Sequence, residues 1–166
     1  MRSKVELFYN TYKNFADDVY RDIRSKTYEE DFGQNSWLTS DEYRKFFSIL
    51  KLSPGKKVLE IAAGSGGPAV FMVEETGCHL TGIDINENGV ASAKKMAEEN
   101  GLSEQLDFRL ADASHPLPFP DESFDAVISI DSINHLNDRG RVLSEFKRVL
   151  KPGGQVLYTD PIVVTG

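Results

Sequence analysis

From Lys56 onward the apolar positions fall into short β-rich runs, "KVLEIA", "HLTGIDI", "LDFRLA", "FDAVISID" and "GQVLYTD". Helical spacing fills the intervals near 67–76, 87–100 and 138–150, and Gly77 and Gly101 close the first two of these helices. Strands that alternate with helices need right-handed crossovers, so the pattern predicts a mostly parallel sheet covered on both faces, an α/β fold of the open, doubly wound kind. One interval departs from it: "SHPLPFPDES" carries three prolines between the third and fourth strands and predicts a loop where a crossover helix is expected. Ahead of Lys56 the periodicity is helical throughout. Phe8, Tyr12, Phe15, Val19 and Ile23 recur at steps of three and four, which predicts a packing helix over 5–24. "EEDFGQNSWLTS" interrupts it, and Thr39 with Glu42 three residues later forms a capping box for a helix over 41–51. The chain therefore divides into a helical cap or lid segment, 1–52, and a sheet-based core, 53–166.

At 166 residues the chain is long enough for one domain with a single core. A hydrophobic fraction of 40% beside 27% charged residues is that of a globular protein. The formal charge of −7 repels polyanions, so no nucleic-acid partner is expected. Cys78 stands alone, no apolar stretch approaches the roughly 18 residues of a membrane span, and "MRSKVELFYNTYKNF" has no continuous apolar signal core. The expected location is the cytoplasm, without membrane contact.

Candidate chemistry gathers where the strands end. In an open parallel sheet, ligands bind beyond the carboxyl ends of the strands, and "VLEIAAGSGGPAV" puts Gly64, Gly66 and Gly67 just after the first strand. Bare backbone there permits a sharp turn and lets a ligand approach the amides of the next helix. Asp84 ends the second strand twenty residues after Gly64, where an acid accepts two hydrogen bonds from a ribose diol. A dinucleotide and an adenosyl-sulfonium cofactor both carry that diol. Glu60 separates them, because a carboxylate inside the first strand gains nothing from a pyrophosphate and suits an ammonium or sulfonium. Asp112, at the end of the third strand, can accept from an adenine amino group while the Ala113 amide donates to a ring nitrogen.

With "VLEIAAGSGG", "GIDIN", "LADASHPLPF", "FDAVISIDSINHL" and "RVLKPGG" in this order, residues 33–160 resemble the class I S-adenosylmethionine-dependent methyltransferases, in particular their small-molecule branch. The resemblance implies a Rossmann-like core with S-adenosyl-L-methionine as cofactor and S-adenosyl-L-homocysteine as product. It implies that Glu60, Ala62, Gly64 and Gly66 hold the methionine part, Asp84 and Ile85 the ribose side, and Asp112 with Ala113 the adenine. Ile130 or Asp131 would offer a backbone carbonyl to the ammonium, and Trp37, in the "GQNSW" loop, would cover the cofactor. The family commonly has G-x-G-T-G where this chain has A-G-S-G-G-P, and Pro68 fits a first helical turn. Family members also continue for two further strands, which are absent here, so the chain is expected to be short of the family fold at its C-terminal end.

Methyl transfer is an in-line displacement that asks a protein chiefly for alignment and desolvation. His135, a few residues beyond the fourth strand and on the cleft side, is the candidate base, with Asn134 and Asp131 as candidates to orient a substrate. Asp160 ends the fifth strand near the same rim, but an acid before Pro161 is also turn chemistry. His79 and His115 receive no role, and no metal is expected, because no His, Cys or carboxylate pair has ligand spacing. The aromatic residues of the first fifty positions read as core or as a lid over an apolar substrate pocket. A nicotinamide-dependent oxidoreductase is the alternative from the same glycines and Asp84, and a non-catalytic cofactor-binding fragment is the alternative from the early C-terminus. An uncovered fifth strand also invites pairing between chains, hence a homodimer through the open sheet edge.

Overall fold

The computed structural model describes residues 18–160. The predicted strands appear as β1 (Lys57–Ile61), β2 (His79–Asp84), β3 (Leu106–Leu110), β4 (Phe124–Ser129) and β5 (Leu150–Tyr158). Among the described residues they form one sheet in the order β3-β2-β1-β4-β5, and every pairing is parallel. Strand order reverses at β1, so a crevice opens beyond the carboxyl ends of β1 and β4. The helices are α1 (Asp18–Thr27), α2 (Ser40–Ile49), α3 (Gly67–Thr76), α4 (Glu87–Glu99) and α5 (Arg139–Val149).

The starts of α2 to α5 each have a local cause. Thr39 and Glu42 make the expected reciprocal capping box on α2. The Asn86 side chain accepts from the amides of Asn88 and Gly89 at the start of α4, and Asp138 accepts from Arg141 at the start of α5. Pro68 occupies the first turn of α3, which ends on left-handed Gly77. The proline-rich interval between β3 and β4 is a loop, as the sequence predicts. At β5 the register jumps from Phe124↔Leu150 to Ala126↔Gln155, so the Lys151–Gly154 backbone bulges out, with Gly153 at φ 78°.

Two apolar layers cover the sheet. Tyr43, Phe47, Val70, Phe71, Val90 and Ala93, from α2, α3 and α4, pack with Val58 and Ile128 on one face. Val142, Phe146 and Val149 of α5 pack with Leu59, Ile61, Leu117 and Phe119 on the other. Strand alternation then places Glu60 on the same face as Val58, at the end of β1 that meets the crevice.

The amino-terminal helix differs from its expectation. Phe8, Tyr12 and Phe15 lie outside the described residues, and α1 runs over 18–27. Val19 and Ile23, assigned to a packing face, are 67% and 55% exposed. α1 is tied down by charge: Arg24 donates to Asp31 at 2.9 Å. The segment between α1 and α2 is closely knit, with Gln34 bonded to Phe32 and Glu30 and the Tyr28 hydroxyl donating to the Ser36 carbonyl at 2.6 Å. Arg44 joins it to α3 through Glu30 and Glu75 and lies over the Phe71 ring.

Gly67 makes that docking possible. A Cβ there would run into the carbonyl oxygens of Phe32 and Gly33, so the cap loop rests directly on the start of α3. Gly67→Ala is expected to cost about 1–3 kcal/mol of stability by overpacking, whereas Gly140→Ala, whose Cβ would meet only Asp138 Oδ1 at an ordinary contact of 3.7 Å, leaves stability level or slightly raised. Denaturant unfolding of the two variants checks this.

Candidate active site

The crevice at the switch point is a cleft of about 330 Å³. Its floor is the turn after β1. Asp84, at the end of β2, is the centre of that turn's bonding: one carboxylate oxygen accepts from the Gly64 amide and the other from the Asn86 amide, both at 2.8 Å. Each oxygen keeps a further lone pair for a ligand hydroxyl. Burial pushes the Asp84 carboxyl above its ordinary pKa while the amides of Asn86, Gly64 and Ile85 pull it down.

Glu60 stands beside it, 4% exposed, with Oε2 lacking any hydrogen-bond partner. Burial, and then the negative charge of Asp84, push its pKa up to about 8. An acid in that condition is satisfied by a neighbouring cation. Among the described residues the cleft wall supplies no competitor: Glu60, Asp84, Asp112 and Asp131 are its acids, and neither Lys nor Arg lines it. A cationic ligand carrying a ribose therefore fits this floor, and a pyrophosphate does not.

Of the expected cofactor residues, Glu60, Ala62, Gly64, Asp84, Ile85, Asp112, Ala113, Ile130 and Asp131 all line the cleft. Asp112 is partly committed, accepting from the Ser114 amide at 2.8 Å and lying 3.1 Å from His115 Nδ1. Two residues fall elsewhere. Gly66 lies beneath the wall: at φ 86°, an added Cβ would come within 2.7 Å of Ala93 Cβ, so its bareness serves the packing of α4. Trp37 does not cover the cleft and is 86% exposed. Its neighbour Ser36 is turned inward, 3.2 Å from the Tyr43 hydroxyl, which sends the next side chain outward.

His135 lines the cleft from the short 3₁₀ turn Ile133–His135, but Asn134 points off the wall, with Oδ1 buried and unpartnered. Asp160 is also off the wall, with Oδ2 3.7 Å from Arg139. Among the described residues no cluster of three metal-ligating side chains occurs. The "GQNSW" loop does reach the wall, through Gly33, Asn35 and Ser36 in place of Trp37, while the sequence reading missed Tyr43, which joins them from the cap segment, and Ser132 and Asn137 beyond β4. Tyr43 carried a signal only as one of the apolar positions of α2. Burial, opposed by the Ser36 hydroxyl and reinforced by the charges of Glu60 and Asp131, raises its phenol pKa.

Two backbone positions on this wall are strained. Ala62 has φ 59° and Asp131 φ 49°, the left-handed region that costs a side chain about 1–2 kcal/mol. Asp131 is held there by Thr159, which accepts from its amide at 2.8 Å and donates to its carboxylate at 2.7 Å.

A doubly wound domain with a buried, amide-anchored acid and an unpartnered second acid at its switch point is suited to a positively charged ligand. Comparison with known proteins defines it further, because the methyltransferase domain profile matches residues 59–158. The chain belongs to that family, in its class I form with S-adenosylmethionine as cofactor. It is 38% identical over 122 residues to Methyltransferase GfsG of Streptomyces halstedii, which is 74% of this chain and 43% of that protein. It is 36% identical over 152 residues to phosphoethanolamine N-methyltransferase 1 of Arabidopsis thaliana, which is 90% of this chain and 30% of the plant protein. The crystal structure of the [4+2]-cyclase SpnF is similar with a TM-score of 0.71 and 32% identity, over 81% of this chain and 49% of that one. The chain thus spans less than half the length of these relatives.

Two predictions come from the floor. Ala62→Gly is expected to raise stability by about 1 kcal/mol by relieving the left-handed strain, read by chemical denaturation. Glu60 binds a proton in the fold that it loses in the unfolded chain between pH 4.5 and about 8. Its contribution is therefore present at low pH and is lost as pH rises through that window, by at most about 1.4 kcal/mol per pH unit. Glu60→Gln removes this slope, seen as a wild-type minus variant stability difference that falls from pH 5 to pH 8 and then levels.

Proposed function

We propose that the domain transfers a methyl group from S-adenosylmethionine to a small-molecule acceptor that enters between the cap loop and the turn beyond β4. The single observation that carries the reading is the continuity of the cleft: the acidic floor with its orphaned Glu60 carboxyl runs without a break to His135 and Asn137. When bound, the cofactor supplies an activated methyl on a positive sulfur, a good leaving centre. What falls to this chain is to hold the ribose on Asp84, to set Glu60 against the cation, and to exclude water with Gly33, Asn35 and Ser36. His135 takes a proton from an oxygen or carbon acceptor as it attacks, and Asp131 and Ser132 orient that acceptor. An amine acceptor needs no base and must arrive neutral.

The names of the relatives support a small acceptor of this general kind. The nicotinamide alternative is disfavoured by Glu60, which would face a pyrophosphate with a buried acid. A second reading, a cofactor-holding unit that transfers nothing, takes support from the likeness to a chain named for a cyclisation.

Incubating the chain with methyl-labelled cofactor and a panel of metabolites tests the proposal. Label should leave the cofactor for one chemical class of acceptor. His135→Ala should then lower kcat by about 10²–10⁴-fold for an oxygen or carbon acceptor, with KM for the cofactor little changed. Binding of S-adenosylhomocysteine without transfer to any acceptor would favour the second reading.

A further inference from the structure

The loop Asp112–Ser123 stands where a crossover helix would otherwise join β3 to β4, and it carries the adenine end of the cleft in Asp112, Ala113 and Ser114. Its own backbone is poor in donors. Pro116, Pro118 and Pro120 have no N–H, which leaves the Leu117 and Phe119 amides within 116–120. The first donates to Glu145 Oε2 and the second to the Leu117 carbonyl, both at 2.8 Å. Carbonyl oxygens therefore outnumber donors in the segment.

Arg148, on α5, has the opposite imbalance, with five donors and no acceptor. Its Nη1 donates to the Phe119 carbonyl and to Asp121, each at 2.8 Å. Nη2 donates to the Leu117 carbonyl at 3.0 Å and to Glu145 Oε2 at 2.7 Å, and Nε to Glu145 Oε1 at 2.9 Å. Every donor is used. The Arg148 hydrogen bonds hold the Glu145 carboxyl down to about 2, so the bidentate pair persists across the working range of pH. The two residues whose carbonyls are gripped, Leu117 and Phe119, are buried in one cluster with Ala113, Ile61 and Ile83. At the other end of the loop the Ser114 hydroxyl accepts from the Asn137 amide at 3.2 Å.

We infer that Arg148 and Glu145 are positioning residues for the adenine end of the cleft. Reaching neither cofactor nor substrate, they fix the proline loop against α5 and so set Asp112, Ala113 and Ser114 relative to Asp84 and Ile85. The inference rests on S-adenosylmethionine being the ligand. It assigns a binding role to a side chain within "RVLKPGG" that lies outside the cleft wall. A lysine keeps the charge at 148 but not the planar fork.

Titration calorimetry on the full chain, well below its unfolding midpoint, tests the inference with S-adenosylhomocysteine and with adenosine, which lacks the methionine part. In Arg148→Lys and in Glu145→Gln, both dissociation constants should rise together by about tenfold or more. In Asp121→Asn they should change by less than about twofold, because Asp121 is 74% exposed at the rim. If the strap only stabilises the fold, the unfolding midpoint drops while both constants stay within about twofold, and that overturns the inference. Loss of S-adenosylhomocysteine affinity with adenosine unaffected overturns it as well, since the defect then lies away from the adenine. A wild-type chain that binds neither ligand overturns the cofactor assignment itself, and the inference with it.

Discussion

Through the carboxylate of Asp84, the turn after β1 and the turn after β2 hold each other in place. One oxygen fixes the Gly64 amide and the other the Asn86 amide, so the glycine turn and the start of α4 share a single anchor. The cost of burying that charge is offset in part by the amides of Asn86, Gly64 and Ile85, and the group sits 7% exposed at the head of the cleft. Its neighbour has no such compensation. Glu60 lies on the adjacent strand with an unpartnered oxygen, and each acid raises the cost of ionising the other. A positive charge placed beside the two acids lowers the cost of ionising both at once.

The cap depends on the same turn from the other side. Gly67 is bare because the Phe32 and Gly33 carbonyls occupy the space its Cβ would take. Arg44 then bridges Glu30 and Glu75, and Phe32 stacks on Phe71 with ring centroids 4.4 Å apart. These contacts make the stretch from Tyr28 to Tyr43 a fixed wall, with its polar groups satisfied locally. The glycines of "GSGG" thus divide their work: Gly64 lines the cleft, Gly66 lets α4 approach, and Gly67 seats the cap.

That division marks the boundary of what the sequence discloses. Strand and helix order, the parallel sheet, the capping box at Thr39 and the proline loop were legible because each has a local signature in spacing, caps or missing amides. That Glu60, Asp84, Asp112 and Ala113 would line the cleft was legible because a strand end in a doubly wound sheet has a known direction. Gly66 and Gly67 were not separable from Gly64, since their reasons lie in Ala93 and Phe32, far along the chain. Trp37 was misplaced for a related cause: which of two neighbouring residues faces the cleft is decided by the Ser36–Tyr43 contact, not by anything adjacent in sequence. Tyr43 itself read as one more apolar position, and no helical pattern says which neighbour a helix will face.

The two ends of the cleft also differ in where their rigidity comes from. The cofactor end is made of strand termini and backbone amides within 59–158, the part that the family profile matches. The acceptor end draws on Gly33, Asn35, Ser36 and Tyr43, which precede it, and on a strained Asp131 held by Thr159, just beyond its last residue. Only the cap part of this wall lies outside the matched part, and among the described residues no hydrogen bond joins Asp84 to the cap residues that line it. Change in the cap therefore need not disturb the Asp84 anchor, since loops on a fixed scaffold vary more freely than the scaffold itself.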